Sequence, residues 1–442
     1  MTLGHRRVLM VSPHFPPDTS AGTHRVRLLA PHLGKHGWEP TVVAVDPRDY
    51  EGRLDPELAG LVPAGVRVVR SRALPAQLTR ALGIGDLGLR ALPGLRRACG
   101  RLLAAERFHA LLITIYPTYP ALLGPRLKRR FGVPFVLDYQ DPWVGAWGRD
   151  VGNGRGSRPD WKSRLTRALA LRLEPRALRA ADAVTAVSEE TYADLRRRYG
   201  SLVPETCAAI PLGGEPADFE RIRLEPRENP YFDPKDGQVH VCYVGTLLPL
   251  GFETLRAVLR AAALLRERRP ELYARLQLRF FGTSNETAPR APARVLPIAR
   301  DLGVADHVTE IAPRIGYLDA LRVQTQAGAI IMMGSSERHY TASKLYPGLL
   351  AERPILAVYH EASSVVDILR RAARPPAVQL VTYDDAARAE SRVEAVCEAL
   401  VSLVERPVYE PGLVDMGVVA EYSAEAQARA LARVLDRVGA PA

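Results

Sequence analysis

Short apolar runs alternate along this chain with longer stretches in which apolar residues recur every third or fourth position. This is the pattern of buried parallel strands joined by amphipathic helices. Residues 8–12 predict a strand, 14–21 a loop rich in Pro, Asp, Thr and Ser, and 23–36 a helix with Val26, Leu29, Ala30 and Leu33 at helical spacing. Residues 40–45 predict the next strand. A strand–helix–strand unit crosses over right-handed and begins a parallel sheet. The alternation continues with strands over 66–71, 111–115, 134–138, 183–187 and 207–211, and helices over 120–131, 163–181 and 189–199.

A polar, Pro-rich stretch over 213–237 predicts an inter-domain linker. A second alternation follows. Its strands are predicted over 240–245, 276–281, 308–311, 329–333 and 354–358, and its helices over 252–269, 317–326, 344–351, 391–405 and 423–438. The expectation is two doubly wound α/β domains facing a central cleft. Ligands of such sheets bind at the carboxyl ends of the strands.

Composition narrows the class. No uncharged apolar run in the 442 residues reaches the ~18 needed for a membrane span. The apolar start of RRVLMVSPHFPP breaks too early for a secretory leader. Cys99, Cys207, Cys242 and Cys397 lie far apart, which fits a reducing cytoplasm and no thiolate metal site. The histidines show no metal-ligand spacing, so no metal is expected.

Charge is unevenly spread. Residues 1–200 hold 32 Lys+Arg against 18 Asp+Glu, whereas the remainder holds 28 against 31. A basic first half suits an anionic partner, namely an anionic membrane on the inner face of the cell or an anionic acceptor. Only five of the 60 basic residues are lysine, so a coding bias toward arginine is the other reading. Nucleic acid is not expected, because the basic runs carry no interleaved aromatics.

Four segments carry candidate chemistry. The loop SPHFPPDTSAGTHR ends in Gly22 at a helix start, where backbone N–H groups suit an anion. Gly245 and Thr246 repeat that arrangement after the first strand of the second domain. In AIIMMGSSERHYTASKLYPGLLAERPILAV, Thr341 and Ser343 are N-cap types and Lys344 falls in the helix's first turn. A cation there opposes the helix dipole unless an anion arrives, and a diphosphate is such an anion; the alternative is a lysine in solvent. In VPFVLDYQDPW a buried strand delivers Asp138 and Asp141 to its carboxyl end. There Asp141 either orients a hydroxyl or closes a turn before Pro142.

These segments, with ADAVTAVSEETYADL, IPLGGEPADF and VHVCYVGTL, resemble the family 4 glycosyltransferases, in the family's order and over most of the chain. The resemblance implies a GT-B fold and retaining, metal-independent transfer from a nucleotide diphosphate sugar to an acceptor hydroxyl. The acceptor is a glycan, a lipid-linked saccharide of the cell envelope or a natural product. It implies an acceptor domain over 1–212, a donor domain over 213–418, and a helix over 419–442 that crosses back to the first domain. The chain departs from the family where two glutamates usually stand, with His339 and Pro347 there. It departs again where an Arg and a Lys usually hold the diphosphate, with Thr246 and Leu250 there. Lys344, Ser343 and the helix start are therefore expected to hold the diphosphate, and His339 to contact the sugar. The alternatives are a non-catalytic GT-B scaffold that binds a nucleotide sugar, or a sugar-nucleotide epimerase or hydrolase of this fold.

Overall fold

The computed structural model describes residues 6–81, 83–144, 161–247, 249–284, 291–335 and 344–439. The chain divides into two compact units, Met1–Leu212 with Ala424–Ala442, and Gly213–Ser423.

Unit 1 is built on seven parallel strands in the order β3-β2-β1-β4-β5-β6-β7. They are β1 (Arg6–Val11), β2 (Trp38–Val45), β3 (Arg67–Ser71), β4 (Ala110–Ile115), β5 (Phe135–Tyr139), β6 (Ala183–Ala186) and β7 (Cys207–Ala209). Every residue of β4 and β5 is buried, which is why these strands read as continuous apolar runs. Helices α1 (Thr23–Leu33), α2 (Leu87–Ala105), α3 (Leu123–Phe131), α4 (Trp161–Leu178) and α5 (Glu189–Tyr199) connect them. Leu95 of α2, Leu127 of α3, Leu178 of α4 and Leu195 of α5 share one core with Leu9, Val11 and Ile113. Val26 and Leu29 of α1 form the core of the opposite face together with Leu431 and Leu435 from the end of the chain.

Unit 2 has six parallel strands in the order β10-β9-β8-β11-β12-β13. They are β8 (Val239–Val244), β9 (Leu276–Phe281), β10 (Val308–Ile311), β11 (Ala329–Met333), β12 (Ile355–His360) and β13 (Val378–Tyr383). The helices used below are α6 (Phe252–Arg268), α7 (Leu345–Leu350) and α8 (Val393–Glu405). The final helix, α9 (Ala424–Val438), returns to unit 1. There Asp436 accepts from Trp38 Nε1 at 2.8 Å and pairs with Arg6, and Glu425 pairs with Lys35 at 2.6 Å. Gly214 N donates to Tyr422 O at 3.0 Å, so the chain enters and leaves unit 2 at one place.

Two readings of the sequence are corrected. The 213–237 stretch is not a free linker: it holds a helix, Pro216–Leu224, that buries Phe219 and Ile222 and is capped by the Glu215 carboxylate. Pro216 opens this helix at a position whose N–H has no intrahelical partner, so the proline signals a start and not a break. The sequence reading also passed over β13, α2 and the helix Ser364–Ala372. In α2, Pro93 and three glycines dilute a pattern that buries Ala91, Leu95, Ala98 and Leu102.

Candidate functional site

In unit 1 the carboxyl end of β1 opens into a loop held by one carboxylate. Asp18 Oδ2 accepts from Ser20 Oγ at 2.5 Å and Thr23 Oγ1 at 3.1 Å, and lies 2.6 Å from His14 Nδ1. Burial alone raises the Asp18 carboxyl, but these partners outweigh it and hold it below the ordinary carboxylate value. The His14 ring stacks on Tyr50 and Tyr116, with centroids 6.2 and 5.4 Å away. Gly22, the N-cap of α1, has a packing reason to be glycine: a β-carbon there stands 2.7 Å from Tyr116 Cδ1. Sequence reasoning missed His14 and Asp18, although their i, i+4 spacing within the loop was visible.

The two aspartates of VPFVLDYQDPW separate. Asp138 is fully buried and bidentate with Arg25, at 2.8 Å from Nε and 2.7 Å from Nη2, and accepts from Thr185 Oγ1 at 2.6 Å. Arg25 Nη1 also donates to Ile210 O at 2.6 Å and Pro211 O at 3.2 Å. This network ties α1, β5, β6 and the end of unit 1's first segment, and leaves Asp138 committed to structure. Asp141 stands three residues further on, on the surface. It has no hydrogen bond or ion pair among the described residues, and desolvation by the surrounding protein raises its carboxyl above the ordinary value. A raised, uncommitted carboxyl at a strand end suits proton exchange with a hydroxyl. Asp86 at the start of α2 is likewise raised by burial and feels the charge of His14.

In unit 2 the structure brings together three residues that the sequence reading singled out separately. Gly245 directly follows β8 with φ at +135°, and a β-carbon there falls 2.0 Å from both Cε and Nζ of Lys344. The Lys344 chain thus lies across the glycine, in space that any other side chain would fill. Lys344 Nζ donates to Tyr243 Oη at 3.3 Å and Thr246 O at 3.4 Å, and stands 5.0 Å from the centroid of the Tyr243 ring. Burial raises the Tyr243 hydroxyl and keeps it neutral. A second cation reaches the same loop, since Arg294 Nη1 donates to Leu247 O. Arg294 is far from the loop in sequence, and nothing in the pattern signals it. Glu310 serves structure, accepting from the backbone N–H groups of Arg294, Val295 and Leu296 at 2.8–3.0 Å.

One expectation about this region is corrected. Lys344 is itself the N-cap of α7, and α7 has six residues. So short a helix lends little dipole, and the positive charge of the site rests on side chains. His339, Thr341 and Ser343 lie outside the described residues.

Residues 21–213 match the model of the "Glycosyl transferase 4-like domain". That segment is thus similar to the glycosyl transferase 4-like domains over about two fifths of the chain. The matched segment contains Gly22, Arg25, Asp138 and Asp141, whereas His14 and Asp18 precede it. A D-inositol 3-phosphate glycosyltransferase of Nocardiopsis dassonvillei is 30% identical over 202 residues, 43% of this chain and 41% of that protein. The chain thus matches about two fifths of the length of that curated relative. Among solved structures, a UDP-forming α,α-trehalose-phosphate synthase of Burkholderia xenovorans superposes with TM-score 0.60 at 13% identity, covering 99% of this chain and 100% of that one. The Anabaena HepE protein in complex with UDP and glucose superposes with TM-score 0.56 at 11% identity, covering 98% and 100%. The two units have the two-domain α/β GT-B fold.

Proposed function

We propose that this protein transfers a sugar from a nucleotide diphosphate sugar to an acceptor hydroxyl, with unit 2 holding the donor and unit 1 the acceptor. The observation that carries the reading is Lys344 lying across Gly245, its ammonium bonded at 3.3 and 3.4 Å to a hydroxyl and a carbonyl. These are long bonds to neutral acceptors. A diphosphate oxygen is a stronger acceptor, and charge-assisted bonds of this kind are shorter. The leaving diphosphate gains negative charge as the sugar–oxygen bond breaks. A cation aimed at it therefore stabilises the transition state more than the ground state. Arg294 adds charge to the same loop through its bond to Leu247 O. The activity of the Nocardiopsis dassonvillei relative and the UDP in the HepE structure support this class of chemistry.

On the acceptor side, Asp141 orients the attacking hydroxyl. Retention of configuration, a hexose as the transferred group and independence of metal belong to the same proposal, as does a sugar contact from His339. A lipid-linked or polymeric envelope saccharide is the proposed acceptor class.

The test is incubation with a panel of nucleotide sugars, following nucleoside diphosphate release with and without acceptor extract. Release that requires acceptor and survives a chelator is expected, with the product's anomeric configuration matching the donor's. Release without acceptor assigns a hydrolase or epimerase. Ligand-induced stabilisation with no release assigns a binding scaffold, the second reading favoured by His339 and Pro347 at the usual glutamate positions. Asp141→Asn should lower turnover by roughly 10²–10⁴-fold with nucleotide affinity nearly unchanged.

A further inference from the structure

The outer face of the α2–α4 helical layer in unit 1 carries charge that the fold does not use. A groove between α2 and α3 is lined by Arg96, Arg97 and Arg101 from one helix and Arg126, Arg129 and Arg130 from the other. All six are exposed, and among the described residues none forms an ion pair. Helix-dipole complementarity explains only the last turn of α3, with Arg129 and Arg130; α2 has no basic residue in its last turn. Arginine abundance does not explain the groove either. In unit 2 the arginines at α6 meet glutamates, as Arg260–Glu390 at 2.5 Å, Arg268–Glu394 at 2.5 Å and Arg269–Glu405 at 3.0 Å.

The next helix in the layer, α4, contacts α3 and leaves apolar groups in water. Trp161 is 69% exposed, Leu165 52% and Leu169 42%. At i, i+4 and i+8 they form one stripe along the helix. From Trp161 to Leu173 this helix has four basic residues and no acidic one. Its inner side is anchored, with Ala170, Ala177 and Leu178 in the unit 1 core.

We infer that this face of unit 1 docks on an anionic phospholipid surface, the arginine groove meeting headgroup phosphates and the α4 stripe entering the interface. Cationic and apolar groups side by side, with a tryptophan at one end, match the chemistry of a bilayer surface. A nucleic-acid duplex rewards the arginines but not exposed leucines. No described helix is long and apolar enough to span a membrane, so the contact is peripheral.

The experiment is sedimentation of the full chain with vesicles of phosphatidylcholine alone or mixed with phosphatidylglycerol, at low and high salt. Binding to the mixed vesicles alone is expected, weakening as salt rises. The combined variant Arg97→Ala, Arg101→Ala, Arg126→Ala, Arg130→Ala should bind at least about a hundredfold more weakly, from the usual contribution of each basic residue near an anionic surface. Leu165→Ser with Leu169→Ser should weaken binding about tenfold while leaving its salt dependence intact, because apolar burial is lost and charge is not. Both variants should keep the wild-type unfolding midpoint, since the altered side chains are exposed. Equal binding to neutral vesicles, no binding to either kind, or full binding by a folded four-arginine variant overturns the inference. So does arginine-dependent binding to duplex DNA without vesicle binding.

Discussion

Arg25 in unit 1 and Lys344 in unit 2 are cations placed alike and held differently. Each stands at the start of a helix that follows a parallel strand. Arg25 is buried and answered by the Asp138 carboxylate through two bonds of 2.7 and 2.8 Å. Lys344 lies over a glycine and a tyrosine ring and donates to neutral oxygens at 3.3 and 3.4 Å. The first cation is spent on folding, because moving it would strand two buried charges. The second is bonded at longer distances to a hydroxyl and a carbonyl, and a diphosphate oxygen is a stronger acceptor than either. Position at a strand end therefore does not by itself mark a ligand site; what the charge is bonded to decides.

The largest effect is expected where that comparison predicts structure. Asp138→Ala leaves Arg25 buried without its carboxylate and should destabilise unit 1 by about 3–5 kcal/mol in denaturant unfolding. A loss under about 1 kcal/mol would break the distinction, since surface pairs behave that way.

A smaller loss is expected at Gly245. Its φ of +135° and the Lys344 chain 2.0 Å from any β-carbon both oppose a side chain. Gly245→Ala should cost about 1–3 kcal/mol of stability. It should also weaken nucleoside diphosphate binding, because Lys344 is displaced. Normal affinity in a folded Gly245→Ala protein would separate the glycine from the site.

The smallest effect concerns Asp18. Its folded value lies below the ordinary 3.8, so its contribution to stability is present above that value and is lost as pH falls through the lowered one. Asp18→Asn should flatten the acid limb of the stability–pH curve and leave the neutral region little changed in slope. An acid limb identical to wild type would show that the His14–Asp18 pair does not couple to folding.

Much of the fold was legible because fully buried strands leave uninterrupted apolar runs. Ala329–Met333 and Leu276–Phe281 coincide with their predicted ranges. The edge strand β13 was not read, since it buries only Val378, Val381 and Tyr383. The glycines and the rare lysine of the candidate site stand out in the sequence, but their pairings do not. The contact of Gly245 with Lys344 joins residues 99 positions apart in the chain. The approach of Arg294 to Leu247 comes from a loop with no motif. Likewise, nothing in VPFVLDYQDPW distinguishes Asp138 from Asp141, because the arginine that claims one of them sits on α1.

The most direct test of the account is calorimetric titration of wild-type protein and Lys344→Ala with nucleoside diphosphate. The variant is expected to unfold at the wild-type midpoint and to bind about one to two powers of ten more weakly, the scale of a lost charge-assisted hydrogen bond at about 1.5–3 kcal/mol. Lys344→Arg should recover part of that loss, because a guanidinium keeps the charge but not the shape of an ammonium. Undiminished affinity in a folded Lys344→Ala protein would contradict the account and place the diphosphate away from Gly245.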